Sequence, residues 1–171
     1  MPQPLDQRTA FAGHVFRLDI EEWEDHPGYE IVHHPGAAAV LPLTPNDDVL
    51  LVKQFRPVVR QTLTEIPAGL LDIDGEDALT CASRELFEEM GFRRGAIEFL
   101  GGVYSSAGFA DEYVHLFWAR THAEPVGRPE QGIEVVRMPF EQMVGAARAG
   151  RVRDAKTVLA LLLAAGRPSL P

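Results

Sequence analysis

Short apolar segments, each about as long as one β-strand, recur along this chain and limit the folds open to it. Turn-forming residues such as Pro45 and Asn46 separate these segments, as expected for the strands of a sheet. The predicted strands cover residues 14–20, 29–33, 37–43, 49–55, 97–104, 113–119 and 133–138. Helical periodicity predicts helices at residues 77–90, 140–149 and 154–165. The mixture predicts an α/β or α+β fold in which helices cover a mixed sheet.

The chain is long and apolar enough to build its own core. Its 171 residues are 46% hydrophobic, which suits a single globular domain. Cys81 is the single cysteine and cannot form an internal disulfide, and the first ten residues are polar and proline-rich, unlike a secretion signal. The longest apolar run, residues 158–165, is far shorter than the roughly 20 residues that span a bilayer. We therefore predict a cytoplasmic protein without a membrane role.

The net charge of the chain limits the kinds of ligand that it is expected to bind. A formal charge of −9 disfavours binding to a nucleic acid polymer, because such binding depends on lysines and arginines that replace counterions. A small anion remains a possible ligand. If carboxylates surround that anion, divalent cations or a few local arginines must reverse the field.

Three glutamates share one face of the first predicted helix. Glu85, Glu88 and Glu89 are spaced i, i+3 and i+4, so their carboxylates lie close together on the helix surface. Like charges at this spacing destabilise a helix by about 0.2–0.5 kcal/mol per pair. A solvated acidic face is the usual explanation of such a pattern. The other explanation is a bound Mg²⁺ or Mn²⁺ ion, which prefers oxygen ligands.

The residues before this helix strengthen the second explanation. Residues 65–72 read as a short strand followed by a Pro/Gly loop, and together with the helix they resemble the Nudix box. The matching positions are Gly69, Glu76, Arg84, Glu85, Leu86, Glu88, Glu89, Gly91 and Phe92. The spacing from Glu76 to Arg84 matches the family, whereas that from Gly69 to Glu76 is one residue longer. The resemblance implies a Nudix fold over residues 37–171, with a mixed sheet between helices and the box at about residues 69–92.

The resemblance also implies roles for the residues of the box. Glu85, Glu88 and Glu89 are expected to bind Mg²⁺, or Mn²⁺, and the Ala68 carbonyl is a further candidate ligand. Four residues are expected to shape the motif rather than to react: Gly69, Glu76, Arg84 and Gly91. The alternative for Arg84 is an ordinary surface ion pair with Glu88, four residues along the helix.

Hydrolysis of a diphosphate also requires a proton acceptor. The candidates are a glutamate of the box and two acids of an irregular stretch, Glu130 and Glu134. The residues alone do not choose between them, and Glu134 is retained as the candidate catalytic residue outside the box.

Beyond the box, residues 11–162 resemble the ADP-ribose pyrophosphatase branch of the family, chiefly in residues 29–34, 52–57, 65–69 and 106–112. The resemblance implies contacts to a nucleotide-sugar substrate from Arg56, Glu65, Tyr29, Gly108 and Glu112. Arg56 is expected to contact the phosphates or the base; its alternative is a strand-end arginine in solvent. Glu65 and Glu112 are expected at base or ribose hydroxyls, or equally in loop salt bridges. Tyr29, or Trp23, would stack on adenine or simply pack in the fold.

The implied reaction converts ADP-ribose to AMP and ribose 5-phosphate. One residue departs from the branch: Ala107 stands where ADP-ribose hydrolases commonly carry proline. An alternative substrate is therefore another nucleoside diphosphate sugar such as GDP-mannose. An alternative of another class is a ligand sensor without turnover, although such modules usually lose the box glutamates. The family also implies a homodimer in which the N-terminal strand segment, residues 1–36, contributes to the partner's site.

Overall fold

The computed structural model describes residues 3–24 and 26–167. Residues 1, 2, 25 and 168–171 belong to the predicted segments 1–36 and 37–171 but lie outside the described residues. The strands are β1 Asp6–Ala12, β2 Arg17–Trp23, β3 His26–His33, β4 Ala37–Leu43, β5 Asp48–Arg56, β6 Gln61–Glu65, β7 Ala68–Leu70, β8 Arg94–Tyr104, β9 Tyr113–Thr121 and β10 Glu134–Pro139. The helices are α1 Ala78–Met90, α2 Phe140–Arg148 and α3 Ala155–Ala165.

The first three strands form a separate antiparallel sheet in the order β1-β2-β3. The strand predicted at residues 14–20 begins later, at Arg17, and β1 was not predicted at all. The reason is visible in its environment, because all seven residues of β1 are exposed. A strand without a buried face has no need of the alternating apolar pattern that reveals strands in a sequence.

The main sheet has seven strands and is mixed. Its order is β10-β5-β4-β9-β8, with β6 added to β5 and β7 added to β4. Only β4 and β9 pair in parallel; the other pairs are antiparallel. One face of the sheet packs on α1 around Leu86, and the other packs on α2 and α3 around Trp118 and Leu161. The predicted mixed sheet between helices is confirmed.

Polar residues fix where the helices begin. The predicted helix began at Asp77, but the structure begins α1 at Ala78. The Asp77 carboxylate accepts a hydrogen bond of 2.7 Å from the Thr80 N–H, so Asp77 is the N-cap of α1. The Asp154 carboxylate caps α3 in the same way through the Thr157 N–H. In the described part of the chain, no helix has both the length and the apolar character needed to cross a membrane.

Candidate active site

The three glutamates of α1 lie in unequal environments. The Glu88 side chain is 51% exposed, whereas Glu85 is largely buried and Glu89 is only 7% exposed. Burial raises the pKa of Glu85 against the opposing charge of Arg84. Burial, and after it the charge of Glu85, raises the pKa of Glu89 to about 7. Two buried carboxylates that repel each other form a local excess of negative charge.

Arg84 orients the acidic residues around it. Its Nε and Nη2 atoms donate to the two oxygens of Glu76 at 2.9 and 3.0 Å, a bidentate pair. Its Nη1 atom donates to Glu85 at 2.5 Å and to Glu88 at 2.9 Å. The surface pair with Glu88 is therefore present, but it is one contact of several. Arg84 thus links the loop residue Glu76 to two glutamates of the helix.

The extra residue between Gly69 and Glu76 is absorbed before the helix. Gly69 pairs with Ala38 in the sheet, and Glu76 still reaches Arg84. The intervening turn contains Gly75 with a φ of 78°, and a Cβ added there would meet no neighbour within 4 Å. The longer loop therefore changes neither the register of β7 nor that of α1.

Gly69 allows the backbone of β7 to approach the helix. A Cβ atom at this position would overlap the carboxylate of Glu85. On the same strand, the Ala68 N–H donates to Glu89 Oε2 at 3.3 Å. The Cys81 thiol faces the Gly69 and Leu70 carbonyls, and burial raises its pKa to about 11, so it is not a nucleophile at neutral pH. A side chain at position 69 would therefore displace the Glu85 carboxylate from its place beside β7.

The donor set of this site fits a hard divalent cation. Within residues 3–24 and 26–167, no three Asp, Glu, His or Cys side chains already form a metal-binding cluster. Glu85 and Glu88 turn toward Arg84, and Glu89 turns toward the Ala68 N–H. Burial nevertheless raises the pKa of Glu85, despite its pair with Arg84, and that of Glu89, and carboxylate oxygens are the ligands that Mg²⁺ and Mn²⁺ prefer.

A cavity of about 340 Å³ adjoins the backbone of Ala68 and Gly69. The side chains that give it its polar character are Arg56, Glu112 and Lys156. A second cavity, of about 460 Å³, also contains Glu112 and Lys156 and continues toward Tyr104. Both volumes lie within the usual range of small-molecule sites, about 300–1,000 Å³.

Glu65 is buried between two cations. The Arg56 Nε and Nη2 atoms each donate to it at 2.8 Å, and the Lys156 ammonium donates to its Oε2 at 2.5 Å. Burial alone raises the pKa of Glu65, but the bonds and charges of Arg56 and Lys156 outweigh burial and hold it below its ordinary value. With 1% of its surface exposed, Glu65 holds Arg56 in place rather than facing the cavity.

Lys156 lines both cavities and is a candidate site residue that was not predicted from the sequence. It lies in the first turn of α3, where the helix dipole disfavours a positive charge. Bonds to Glu65 and Asp154 hold it there despite that cost. The partner of Lys156, Glu65, is 91 residues away in the sequence. The only signal that the sequence offers for Lys156 is therefore a lysine in the first turn of a helix.

Besides Glu65, two further predicted substrate residues, Tyr29 and Gly108, lie outside these cavities. Tyr29 belongs to the N-terminal sheet, is 45% exposed, and stacks on His26 with 4.1 Å between ring centroids. Trp23 packs edge-on against Tyr29 at 6.4 Å. Gly108 occupies an open turn in which an added Cβ would meet nothing within 4 Å. The structure therefore unites Arg56, Ala68, Gly69 and Glu112 but leaves these residues apart.

Glu134 does not face the metal helix. It is opposite Lys53 on β5, forms an ion pair with it at 3.1 Å, and is 66% exposed. Side chains alternate along β10, so Glu134 shares a face with Val136 and Met138, which pack on the core beneath α2 and α3. Glu130 lies nearer to the site, because its charge contributes to the raised pKa of Glu85.

The loop that carries Glu130 is attached to the end of α1. The Gly91 carbonyl accepts hydrogen bonds from the Val126 and Gly127 N–H groups at 2.9 and 3.0 Å. Gly91 has a φ of 75°, and a Cβ there would overlap the Gly127 carbonyl. The last glycine of the motif therefore both ends the helix and admits the loop.

Comparison with known proteins agrees with this architecture. The model of the NUDIX domain matches residues 32–161. The chain is 38% identical to the ADP-ribose pyrophosphatase of Bacillus subtilis (strain 168) over 165 residues. The aligned region covers 92% of this chain and 89% of that protein. The chain is 33% identical, with the same coverage, to the methanol dehydrogenase activator of Bacillus methanolicus. It is 36% identical over 137 residues to the GDP-mannose pyrophosphatase of Yersinia enterocolitica, which spans 74% of this chain and 71% of that protein. The chain therefore belongs to the NUDIX domain family, which confirms the family predicted from its sequence.

Proposed function

We propose that this chain is a Mg²⁺-dependent pyrophosphohydrolase that cleaves ADP-ribose to AMP and ribose 5-phosphate. The observation that carries the proposal is the cavity in which Arg56, Glu112 and Lys156 meet Ala68 and Gly69, the two residues of β7 that also contact Glu89 and Glu85 of α1. The positive side chains of Arg56 and Lys156 lie next to buried carboxylates, and this arrangement suits an anion that binds together with divalent metal ions. The similarity to an ADP-ribose pyrophosphatase supports this substrate.

Glu85, Glu88 and Glu89 would hold the metal, with the Ala68 carbonyl as a further ligand. When bound, Mg²⁺ neutralises the diphosphate and lowers the pKa of a coordinated water. Mn²⁺ accepts the same oxygen ligands. Arg84 and Glu76 keep the helix and the preceding loop in register, so that the carboxylates return to one geometry after each turnover.

Arg56 binds the diphosphate in this proposal. Its Nε and Nη2 atoms are held by Glu65, so the guanidinium has a fixed plane and its Nη1 atom is left for a phosphate oxygen. Lys156 adds a second positive charge, and Glu112 accepts a ribose hydroxyl. Glu130 replaces Glu134 as the proposed proton acceptor outside the box, because Glu134 is paired with Lys53 on the face of the sheet that lies away from the metal helix.

A substrate panel tests the proposal. ADP-ribose, GDP-mannose and UDP-glucose are incubated with the protein, with and without Mg²⁺, and the products are separated and identified. We expect AMP and ribose 5-phosphate from ADP-ribose only when Mg²⁺ is present. A preference for GDP-mannose would favour the second substrate, which the similarity to GDP-mannose pyrophosphatases also supports. Stoichiometric binding without any product would instead indicate a sensor.

Ala107 offers a test of substrate choice. The Ser106 carbonyl accepts a hydrogen bond of 3.1 Å from the Phe109 N–H, so Ala107 occupies the second position of a tight turn. Proline is favoured at that position because its φ is already suitable. We expect Ala107→Pro to fold normally and to raise the ratio of kcat/KM for ADP-ribose over GDP-mannose by roughly three- to tenfold, since a stiffer loop loses less entropy on binding. Unchanged selectivity would contradict the role of loop stiffness.

We also propose that the protein is a homodimer assembled through residues 1–36. The support is the fully exposed edge strand β1, together with apolar side chains that it leaves in solvent, Leu5, Phe11 and Phe16. In such a dimer, the exposed Tyr29 and the turn at Gly108 would complete the substrate site between subunits. The buried free thiol of Cys81 is compatible with the proposed cytoplasmic location.

Removal of the residues before Tyr29 tests the dimer. The shortened chain loses β1 and β2, so we expect it to sediment as a monomer and to bind ADP-ribose more weakly by at least about tenfold. Analytical ultracentrifugation and steady-state kinetics of both proteins measure the two effects. A shortened chain that stays dimeric and fully active would contradict the proposal.

A further inference from the structure

A third cavity, of about 560 Å³, lies on the face of the main sheet that α2 and α3 cover. Side chains of β5, β6 and β10 line it on one side, and α2 and the connection from α2 to α3 line it on the other. Val136 and Met138 in its wall belong to this face, whereas α1 packs on the opposite face around Leu86. Among the described residues, none lines both this cavity and the two cavities near the metal helix. The third cavity is therefore separate from the proposed active site.

One part of this cavity is apolar. Met143 is buried, and three partly buried side chains that pack against the core line the cavity with it: Val136, Met138 and Val152. Methionine is flexible and polarisable, so two methionines at one site can fit their thioethers to the face of a flat ring. This part of the cavity therefore suits an apolar or aromatic group rather than a hydrated ion.

Another part of the cavity is positively charged, although the whole chain carries a formal charge of −9. Lys53, Arg151 and Arg153 all line it. Lys53 is paired with Glu134 at 3.1 Å. The two arginines are exposed, and within residues 3–24 and 26–167 neither forms an ion pair. Three positive charges against one negative charge make this part of the cavity complementary to an anion.

The two arginines belong to a short connection whose backbone is held at both ends. At its start, the Arg151 N–H donates to the Ala146 carbonyl at 2.9 Å. At its end, one oxygen of Asp154 caps α3 by accepting the Thr157 N–H at 2.9 Å, and the other accepts the Lys156 ammonium at 2.9 Å. Both oxygens of this neighbouring acid are thus bonded to groups other than the arginines. A guanidinium offers a planar fork of donors that matches phosphate oxygens.

Strand β6 adds neutral polar groups to the cavity. Thr62 and Thr64 line it, and they pair with Phe55 and Lys53 of β5. Residues opposite each other in a sheet point to the same face, so both hydroxyls lie on the face that carries the Lys53 ammonium. Hydroxyl groups donate and accept, which suits the hydroxyls of a sugar. The cavity therefore combines cationic, hydroxyl and apolar groups.

We infer that this cavity is a second ligand site, which binds a nucleoside monophosphate. The guanidiniums of Arg151 and Arg153 bind the phosphate, the threonine hydroxyls face the ribose, and the base packs on Met138 and Met143. The cavity volume lies in the range of small-molecule sites, about 300–1,000 Å³. A nucleoside without phosphate, or a sugar phosphate without a base, satisfies only part of this surface. The inference does not depend on the proposed function, because the two sites share no described lining residue.

Nuclear magnetic resonance of labelled methionine methyl groups tests the site without turnover, in the presence of a chelator. We expect AMP to shift the signals of Met138 and Met143, with saturation near or below about 1 mM, and to leave Met90, buried beneath α1, unchanged. Adenosine and ribose 5-phosphate should each bind at least about tenfold more weakly, because each lacks the phosphate or the base. Shifts at Met90 alone, or ribose 5-phosphate binding as tightly as AMP, would overturn the inference.

Arginine variants test which groups bind the phosphate. Arg151→Gln combined with Arg153→Gln should weaken AMP binding at the two methionines by at least about tenfold, the effect of losing charge-assisted hydrogen bonds, and should leave the melting temperature and ADP-ribose turnover unchanged. Arg148→Gln is the control, because Arg148 is exposed in the last turn of α2 and does not line the cavity. AMP affinity within about twofold of wild type in the double variant would overturn the inference. If ADP-ribose is not cleaved but AMP binds as expected, the proposed function fails and the second site stands.

Discussion

Replacement of Glu89 by glutamine is expected to lower kcat by more than about 100-fold, beyond the 10–100-fold cost usual for residues that only support a metal ligand. The reason is that Glu89 is a buried carboxylate beside Glu85 and would carry part of the charge that attracts Mg²⁺. Glutamine keeps the volume and can still accept the bond from the Ala68 N–H. Steady-state rates over a Mg²⁺ titration measure the loss.

The same substitution should not weaken the metal-free fold. It removes a buried charge that Glu85 repels, so the melting temperature in the presence of a chelator should be unchanged or higher. Mg²⁺ should raise the melting temperature of the wild type, because it binds only the folded state, and should raise that of Glu89→Gln much less. Glu141→Gln, on the exposed face of α2, is the matched control and should behave as wild type. Near wild-type turnover of Glu89→Gln in limiting Mg²⁺ would refute the metal-helix assignment.

Gly69→Ala is expected to reduce kcat/KM by more than about 100-fold, because it displaces a proposed metal ligand, and to lower the free energy of unfolding by less than about 1 kcal/mol, because the atoms in the way are the end of the flexible Glu85 side chain. The added methyl group would occupy the place of the Glu85 carboxylate, so either β7 or the side chain must move. Displacement of Glu85 removes a metal ligand, and displacement of β7 moves the Ala68 carbonyl. Chemical denaturation and activity assays separate the two losses.

Gly145→Ala is the control for Gly69→Ala, because it makes the same substitution at a position without close neighbours. Gly145 lies within α2, and an added Cβ meets nothing within 4 Å. Alanine is a better helix former than glycine by roughly 0.5–1 kcal/mol, so this variant should be slightly more stable and fully active. If Gly69→Ala were as active and as stable as Gly145→Ala, the close approach of β7 to Glu85 would have no functional importance.

The residues identified best from the sequence are those whose geometry is local. Glu85, Glu88 and Glu89 share one helix face because of their spacing alone, and Arg84 reaches Glu76 across one short loop. The role of Arg56 was predicted from the family resemblance. The structure adds the reason why Arg56 is rigid, which is its two hydrogen bonds to Glu65. Its carboxylate partner, Glu65, looked like a substrate residue because a sequence does not reveal burial between two cations.

Three features were beyond the sequence for separate physical reasons. Strand β1 carries no apolar alternation because both of its faces are exposed. Lys156 meets Glu65 only after α3 has packed on the sheet. Glu134 was assigned to the face beneath α2 and α3 only when the pairing of β10 with β5 fixed which side of the sheet it faces. In a strand, a shift of one residue would have reversed that assignment.

The two hydrogen bonds to the Gly91 carbonyl determine which segments can be exchanged between this chain and related proteins. Because Val126 and Gly127 are bonded to the end of α1, and β10 begins at Glu134, residues 128–133 form a short span with both ends fixed. Because both ends of this span are held in place, it can be replaced by one of different length or composition without moving the metal helix. Chimeras that exchange only residues 128–133 should therefore transfer Glu130, the proposed proton acceptor, as an independent unit. Exchanges that cross Gly127 should instead disturb the helix end itself.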